Sequence, residues 1–256
     1  MRTLIALIAL IASLFVSASA LADMDEARQA YREGRWQDAA AHAQHAGGVE
    51  GYAFAAGALL AQLMVEPDGP DREDLADRAA DLAEYAYRLD DEDPEARLRL
   101  AGALGYRGRF MNGMRAYVGR VPQRGKRLLE SVVEDDPDNA WAVGMLGAWH
   151  LEVARRGGNR GMRILDASVD AGIGFYTNAI ALDPHNPAPR YFFALALLAL
   201  DEEAYYPMAR EQLALCLQIE ARDAFEAAVQ DDAQALAGMI ADRRAATEWA
   251  DARMRY

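Results

Sequence analysis

A single cysteine, Cys216, stands in 256 residues, so neither an internal disulfide framework nor a thiolate zinc module holds the chain together. Proline (9) is scarce and glycine (20) stands near its ordinary level, which excludes collagen-like and low-complexity chains. Basic residues are in deficit: 27 Lys plus Arg against 40 Asp plus Glu give a net charge of −13, a poor footing for nucleic-acid binding. Strand-type alternation is nearly absent, and no Gly-x-x-x-x-Gly-Lys-Ser/Thr phosphate loop occurs. Against these absences stand 52% hydrophobic residues, enough for one large domain or two small ones.

The first twenty-two residues read as an export signal. Arg2 supplies a short positive start, Leu4 to Val16 is an apolar run, and Ala20 and Ala22 occupy the −3 and −1 positions of a signal-peptidase site. Cleavage is expected after Ala22, leaving 23–256 as the folded domain. No cysteine follows the run to accept a lipid, and no later segment reads as a membrane span. The expected compartment is a bacterial periplasm or the exterior.

Three Asp-Pro steps, Asp93-Pro94, Asp136-Pro137 and Asp183-Pro184, each follow one apolar-periodic segment and precede another. Proline cannot continue a helix interior, so each step is expected to end one helix pair and open the next. One unit runs Phe175-Tyr176-x-x-Ala179-Ile180-x-Leu182-Asp183-Pro184-x-Asn186. Leu146-Gly147 with His150 follows Asp138-Asn139-Ala140, and Gly34-x-Trp36-x-x-Ala39 leads to Ala43 and Ala46. Ala209-x-x-x-Leu213-x-x-Cys216-Leu217 is a fourth echo. These stretches resemble tetratricopeptide repeats, in which aromatic and small positions alternate between paired helices.

The resemblance implies an all-α, TPR-like solenoid of about five helix hairpins. The pairs are about 24–33 with 36–46, 51–65 with 71–90, 95–108 with 123–134, 139–154 with 168–182, and 187–200 with 205–219. The tail, about 222–253, is expected to serve as a C-terminal capping helix. It also implies that first helices line a concave groove. Trp141, Gly144, Ala148 and Leu151 would come from the fourth pair. Ala188, Tyr191, Leu195 and Leu198 would come from the fifth, and Arg97, Leu100, Leu104 and Arg107 from the third. Such a surface suits a peptide, an amphipathic helix or a small hydrophobic ligand. The tail folding back to fill it is the competing expectation. A secreted chain of this kind also looks like the T-component of TRAP transporters, which implies a hydrophobic ligand carrier. The Asp136–Ala154 stretch resembles the core of regulators of microtubule dynamics, a role at odds with export.

Pro94 to Pro137 spans 43 residues and Pro137 to Pro184 spans 47, against about 34 for a standard repeat. Aligning the flanking helices places the surplus between paired helices, at 109–123 and 155–167. From Ala96 to Leu129 there is no acid but nine basic residues, and from Val153 to Leu165 four more. Equivalent insertions in consecutive repeats emerge on one edge. Arg109, Arg115, Arg120, Arg124, Lys126, Arg127, Arg155, Arg156, Arg160 and Arg163 are therefore expected to form a basic rim for an anionic partner. The competing expectation is that they neutralise the chain's own helix ends.

Catalytic and cofactor residues are not indicated, and an enzyme is not expected. His42 and His45 share a helix face, but no acid or thiol in that helix is spaced to complete a metal site. His150 falls where packing is expected, and His185 falls in a turn. Cys216 takes a small, buried position. Asp90 to Asp93 lacks the alternating ligands of a calcium loop. The functional expectation is a non-enzymatic protein- or peptide-binding scaffold.

Overall fold

A computed structural model describes residues 20–255, and no strand occurs among them. The helices are α1 (20–32), α2 (Trp36–Ala46), α3 (Gly48–Val65), α4 (Arg72–Leu89), α5 (Pro94–Arg109) and α6 (Gly113–Val118). There follow α7 (Val121–Asp135), α8 (Ala140–Leu165), α9 (Val169–Leu182), α10 (Pro187–Ala199), α11 (Tyr206–Cys216), α12 (Ala224–Met239) and α13 (Arg243–Arg255). The segment expected to be an export signal, 1–22, lies almost wholly outside the described residues, and positions 20–22 open α1.

Short polar side chains set the helix starts. Asp93 accepts the Ala96 N–H at 2.7 Å, with Pro94 at the first helical position of α5. The other two Asp-Pro steps lie in turns, where Asn139 and Asn186 cap instead, accepting the Ala142 and Ala188 N–H groups. Ser168 caps α9 and Asp223 caps α12 in the same way. Each such bond satisfies an amide the helix cannot, stabilising it by about 1 kcal/mol.

Consecutive helices pack on one another from α2 to α5, from α5 to α7, and from α7 to α11. The first helices of successive pairs also touch: α3 meets α5, α5 meets α8, and α8 meets α10. One cluster of buried apolar side chains runs from α1 to α8, and a second, centred on α10, extends to α13. Helix α3 is long and apolar enough to cross a membrane (18 residues, mean hydropathy 1.3). It packs against α2, α4 and α5 with both its leucine pair and its alanines buried, as a core helix does.

The insertions and the tail depart from expectation. Residues 155–167 are not a loop: α8 runs on to Leu165 across a kink at Gly158, whose φ of 53° and ψ of −157° suit glycine alone. Residues 109–123 hold the short α6, capped by Asn112. The tail forms two helices rather than one, with α12 touching α3, α10 and α11, and α13 touching α10. Tail residues such as Phe225, Val229 and Leu236 are buried, so a sequence with polar residues spread between apolar ones here covers a neighbour's apolar face.

Candidate functional site

The two insertions meet. Arg156, in the second, donates to the Gly108 and Met111 carbonyls at 3.1 and 3.0 Å, at the end of α5. Trp149 Nε1 donates to the Pro122 carbonyl, and Lys126 Nζ reaches the Asp166 carbonyl at 3.1 Å. Both glycine-arginine stretches therefore lie along the same junction, where α5 and α8 end and α7 begins.

The ten basic residues divide into two sets. Arg124 forms a two-pronged pair with Glu84 of α4, at 2.7 and 3.1 Å. Arg155 grips Glu152 and reaches Asp251 and the Met254 carbonyl of α13. Lys126 lies over the Trp149 ring, Arg109 over Tyr106, and Arg156 is committed to backbone carbonyls. These five are structural. Arg115, Arg120, Arg127, Arg160 and Arg163 are exposed, and their side chains have no ion-pair or hydrogen-bond partner among the described residues.

Apolar side chains accompany that outward set. Seven large hydrophobics are exposed among the described residues, and four belong to the insertions: Met114 (72%), Val118 (71%), Ile164 (50%) and Tyr117 (45%). An amphipathic helix that buries none of its residues, as α6 does, is an element with a face still to be covered.

The groove residues are spoken for. Tyr191, Leu195 and Leu198 are buried in the cluster that includes α12 and α13, and the Tyr191 hydroxyl donates to Asp232 of α12 at 3.0 Å. Arg253 of α13 holds the same carboxylate at 2.7 Å. Phe225 lies 6.1 Å from Trp141, and Ala148 packs half-buried in the same cluster. Leu151 and Gly144 turn instead toward α9, against Gly172 and Ala179. Arg97 pairs with Asp135 and Arg107 with Asp77, while Leu100, Leu104 and Ala188 are buried. The tail thus lies over this face from α10 to α3. Glu226, buried at the start of α12, accepts the backbone and side-chain donors of Arg222, which fixes the approach of that helix.

The remaining chemistry-bearing groups are accounted for by their neighbours. His150 accepts the Ser168 N–H at 3.2 Å and stacks on Phe175, and burial, with Lys126 adding to it, lowers its pKa. The Cys216 thiol sits under α10 beside the Pro187 carbonyl, and burial pushes its pKa up to about 12. Burial likewise raises the Tyr31 hydroxyl to about 12. The chain matches no protein-family model, and no curated protein matches it. An open cleft of about 670 Å³ lies against α3 and α4, lined by Asp74, Asp77, Asp81, Arg78, Leu82 and the paired rings of Tyr52 and Tyr85.

Sequence spacing within one helix could not reveal the groups that face His42 and His45. Both imidazoles look across to α1, where they meet Glu26 and Asp23. The signal was available only as two i,i+3 pairs on neighbouring helices, which is informative once their pairing is known.

Proposed function

We propose that this chain is a non-enzymatic, exported helical-repeat protein of the tetratricopeptide type, and that its glycine-arginine rim docks an acidic, amphipathic segment of a protein partner. The packing order supports the repeat reading: second helices lie on the next first helix, and first helices contact one another. So does the near-contact of α8 and α9 at Gly147 and Gly172, the position at which Leu-Gly brings tetratricopeptide helices together.

One observation carries the rim: arginines without carboxylates stand beside apolar side chains without cover, at the place where two insertions join. A partner helix with acids on one face and apolar residues on another satisfies both, since each fully buried side chain contributes about 1.5–3 kcal/mol and arginine binds carboxylate through two bonds. The concave face offers less, because α12 and α13 cover it; a carrier of small hydrophobic ligands would need that tail to lift.

The test compares wild type with a variant in which Arg115, Arg120, Arg127, Arg160 and Arg163 are each changed to Glu. Cross-linked companions from envelope extracts are identified, purified and retested for direct binding. A companion bound by wild type in a salt-sensitive manner and lost by the variant, with unchanged thermal stability, is the expected result. Equal binding by both proteins refutes the rim. Binding to anionic vesicles without any protein companion would assign the surface to a membrane and overturn the partner proposed here.

A further inference from the structure

Two imidazole–carboxylate pairs bridge α1 and α2, helices that carry none of the rim residues. His42 Nδ1 lies 3.0 Å from Glu26 Oε2, and His45 Nδ1 lies 2.8 Å from Asp23 Oδ2. Asp23, Glu26 and His42 bring ligand atoms that all fall within 4.8 Å of one another. The arrangement follows from spacing: acids three apart on α1 face histidines three apart on α2, so 23 meets 45 and 26 meets 42.

We propose that Asp23, Glu26, His42 and His45 bind a divalent transition-metal ion of the zinc type, stapling α1 to α2. Ligand atoms about 2.1 Å from a tetrahedral zinc stand about 3.4 Å apart. The His42–Glu26 pair needs to open by about 0.4 Å, the three-residue group to close from at most 4.8 Å, and His45, which lies outside that group, to swing in beside its partner Asp23, movements within reach of side-chain rotations. Two imidazole nitrogens select zinc, copper or nickel over magnesium and calcium, and two carboxylates neutralise the ion's charge.

The surroundings allow access. Glu26 and His42 border an open cleft of about 400 Å³. Arg35, which also lines it, is turned to Glu33 and Asp38 and does not compete for the ligands. Asp23 is the most enclosed of the four, its side chain 18% exposed. The staple would add to the packing of α1, which joins the core through Met24, Ala27, Ala30 and the Tyr31 ring, edge-on to Trp36 and Phe54. A metal there would stabilise the start of the folded domain, and would do so whether or not the rim binds a protein.

Protein recovered after export, carrying no histidine tag and stripped with a chelator, is titrated with Zn²⁺ by calorimetry. One ion per chain with a dissociation constant of about 1–10 µM is expected, accompanied by a rise in Tm. His42→Ala and His45→Ala should each weaken binding by about tenfold or more, while His185→Ala, in an exposed turn, leaves it unchanged. Glu26→Gln separates coordination from a plain hydrogen bond: the amide can still bond the imidazole, so metal-free stability holds while zinc affinity falls. Co²⁺ should give the intense visible bands of a four-coordinate site. Absence of saturable binding below about 1 mM, or an affinity that survives loss of both histidines, overturns the site.

Discussion

Replacing Gly147 by alanine tests how α8 and α9 pack together. In an isolated helix the change is favourable by about 1 kcal/mol, because glycine loses more backbone freedom on folding. Here a Cβ would lie 2.8 Å from Tyr176 Cδ2 and 3.0 Å from both the Gly172 carbonyl and the Tyr176 amide. Two of those three atoms are backbone and cannot rotate aside. Tyr176 has little freedom either, since it is buried and stacked on Phe193 with ring centres 4.8 Å apart. Helices α8 and α9 must therefore separate, at an overpacking cost of about 1–3 kcal/mol. The net expectation is a loss of up to about 2 kcal/mol. Gly105→Ala and Gly174→Ala supply the control: both sit in helices with no heavy atom within 4 Å of the new Cβ, so each should stabilise by about 0.5–1 kcal/mol. Urea unfolding followed by far-UV circular dichroism, read at constant m-value, measures all three. A Gly147→Ala protein stabilised to the same extent as the two controls refutes the close approach of α8 and α9.

Two further outcomes follow from the covering tail and the buried histidine. Asp232→Ala removes the carboxylate shared by Tyr191 and Arg253, leaving a half-enclosed cation unpaired. It should cost about 2–4 kcal/mol and raise hydrogen exchange in α12 and α13 before α3 to α5; uniform exchange would show that the tail is not a separable layer. His150 has a folded pKa below its ordinary 6.5 because of burial, so the unfolded chain takes up the proton first. Stability attributable to it is intact above pH 6.5 and is lost as pH falls below that value. The urea midpoint should drop more steeply from pH 7 to pH 5 in wild type than in His150→Gln, and parallel slopes would remove His150 as the cause.

The helices were legible because their signals are local. Asp93-Pro94 starts a helix by chemistry contained in four residues, and the Ala39, Ala43 spacing marks a buried face without knowledge of its neighbour. The Leu146-Gly147 pair, named for its resemblance to a repeat helix, sits where α8 and α9 approach closely at Gly172. What could not be read was the destination of long side chains. Arg97 and Arg107 sit on α5 at spacings that suit a groove, yet they reach Asp135 and Asp77 on flanking helices. The tail's two-helix form and its place across α3 and α10 depend on contacts over long sequence separations. The metal-type cluster was missed for the same reason: half of its ligands belong to another helix.

The split among the basic residues also bears on why the stretches 96–129 and 153–165 contain no acid. Arg156 ends on the Gly108 and Met111 carbonyls, Lys126 on that of Asp166, and Arg155 on that of Met254. Arg243 does the same at Asp201 and Arg72 at Leu63 and Glu66. Each carbonyl lies at or near the C-terminal end of a helix, where unpaired acceptors and the helix dipole favour a cation by about 0.3–1 kcal/mol and repel a carboxylate. Helix-end carbonyls therefore account for Lys126, Arg155 and Arg156, while Glu84 accounts for Arg124 and the Tyr106 ring for Arg109, with no partner required. None of these accounts for Arg115, Arg120, Arg127, Arg160 and Arg163, which reach no carbonyl and no acid. Folding alone would accept lysine, glutamine or glutamate at those positions, and would not set Met114, Val118 and Ile164 in water beside them. The outward half is thus the part of the rim that the proposed acidic partner would complete.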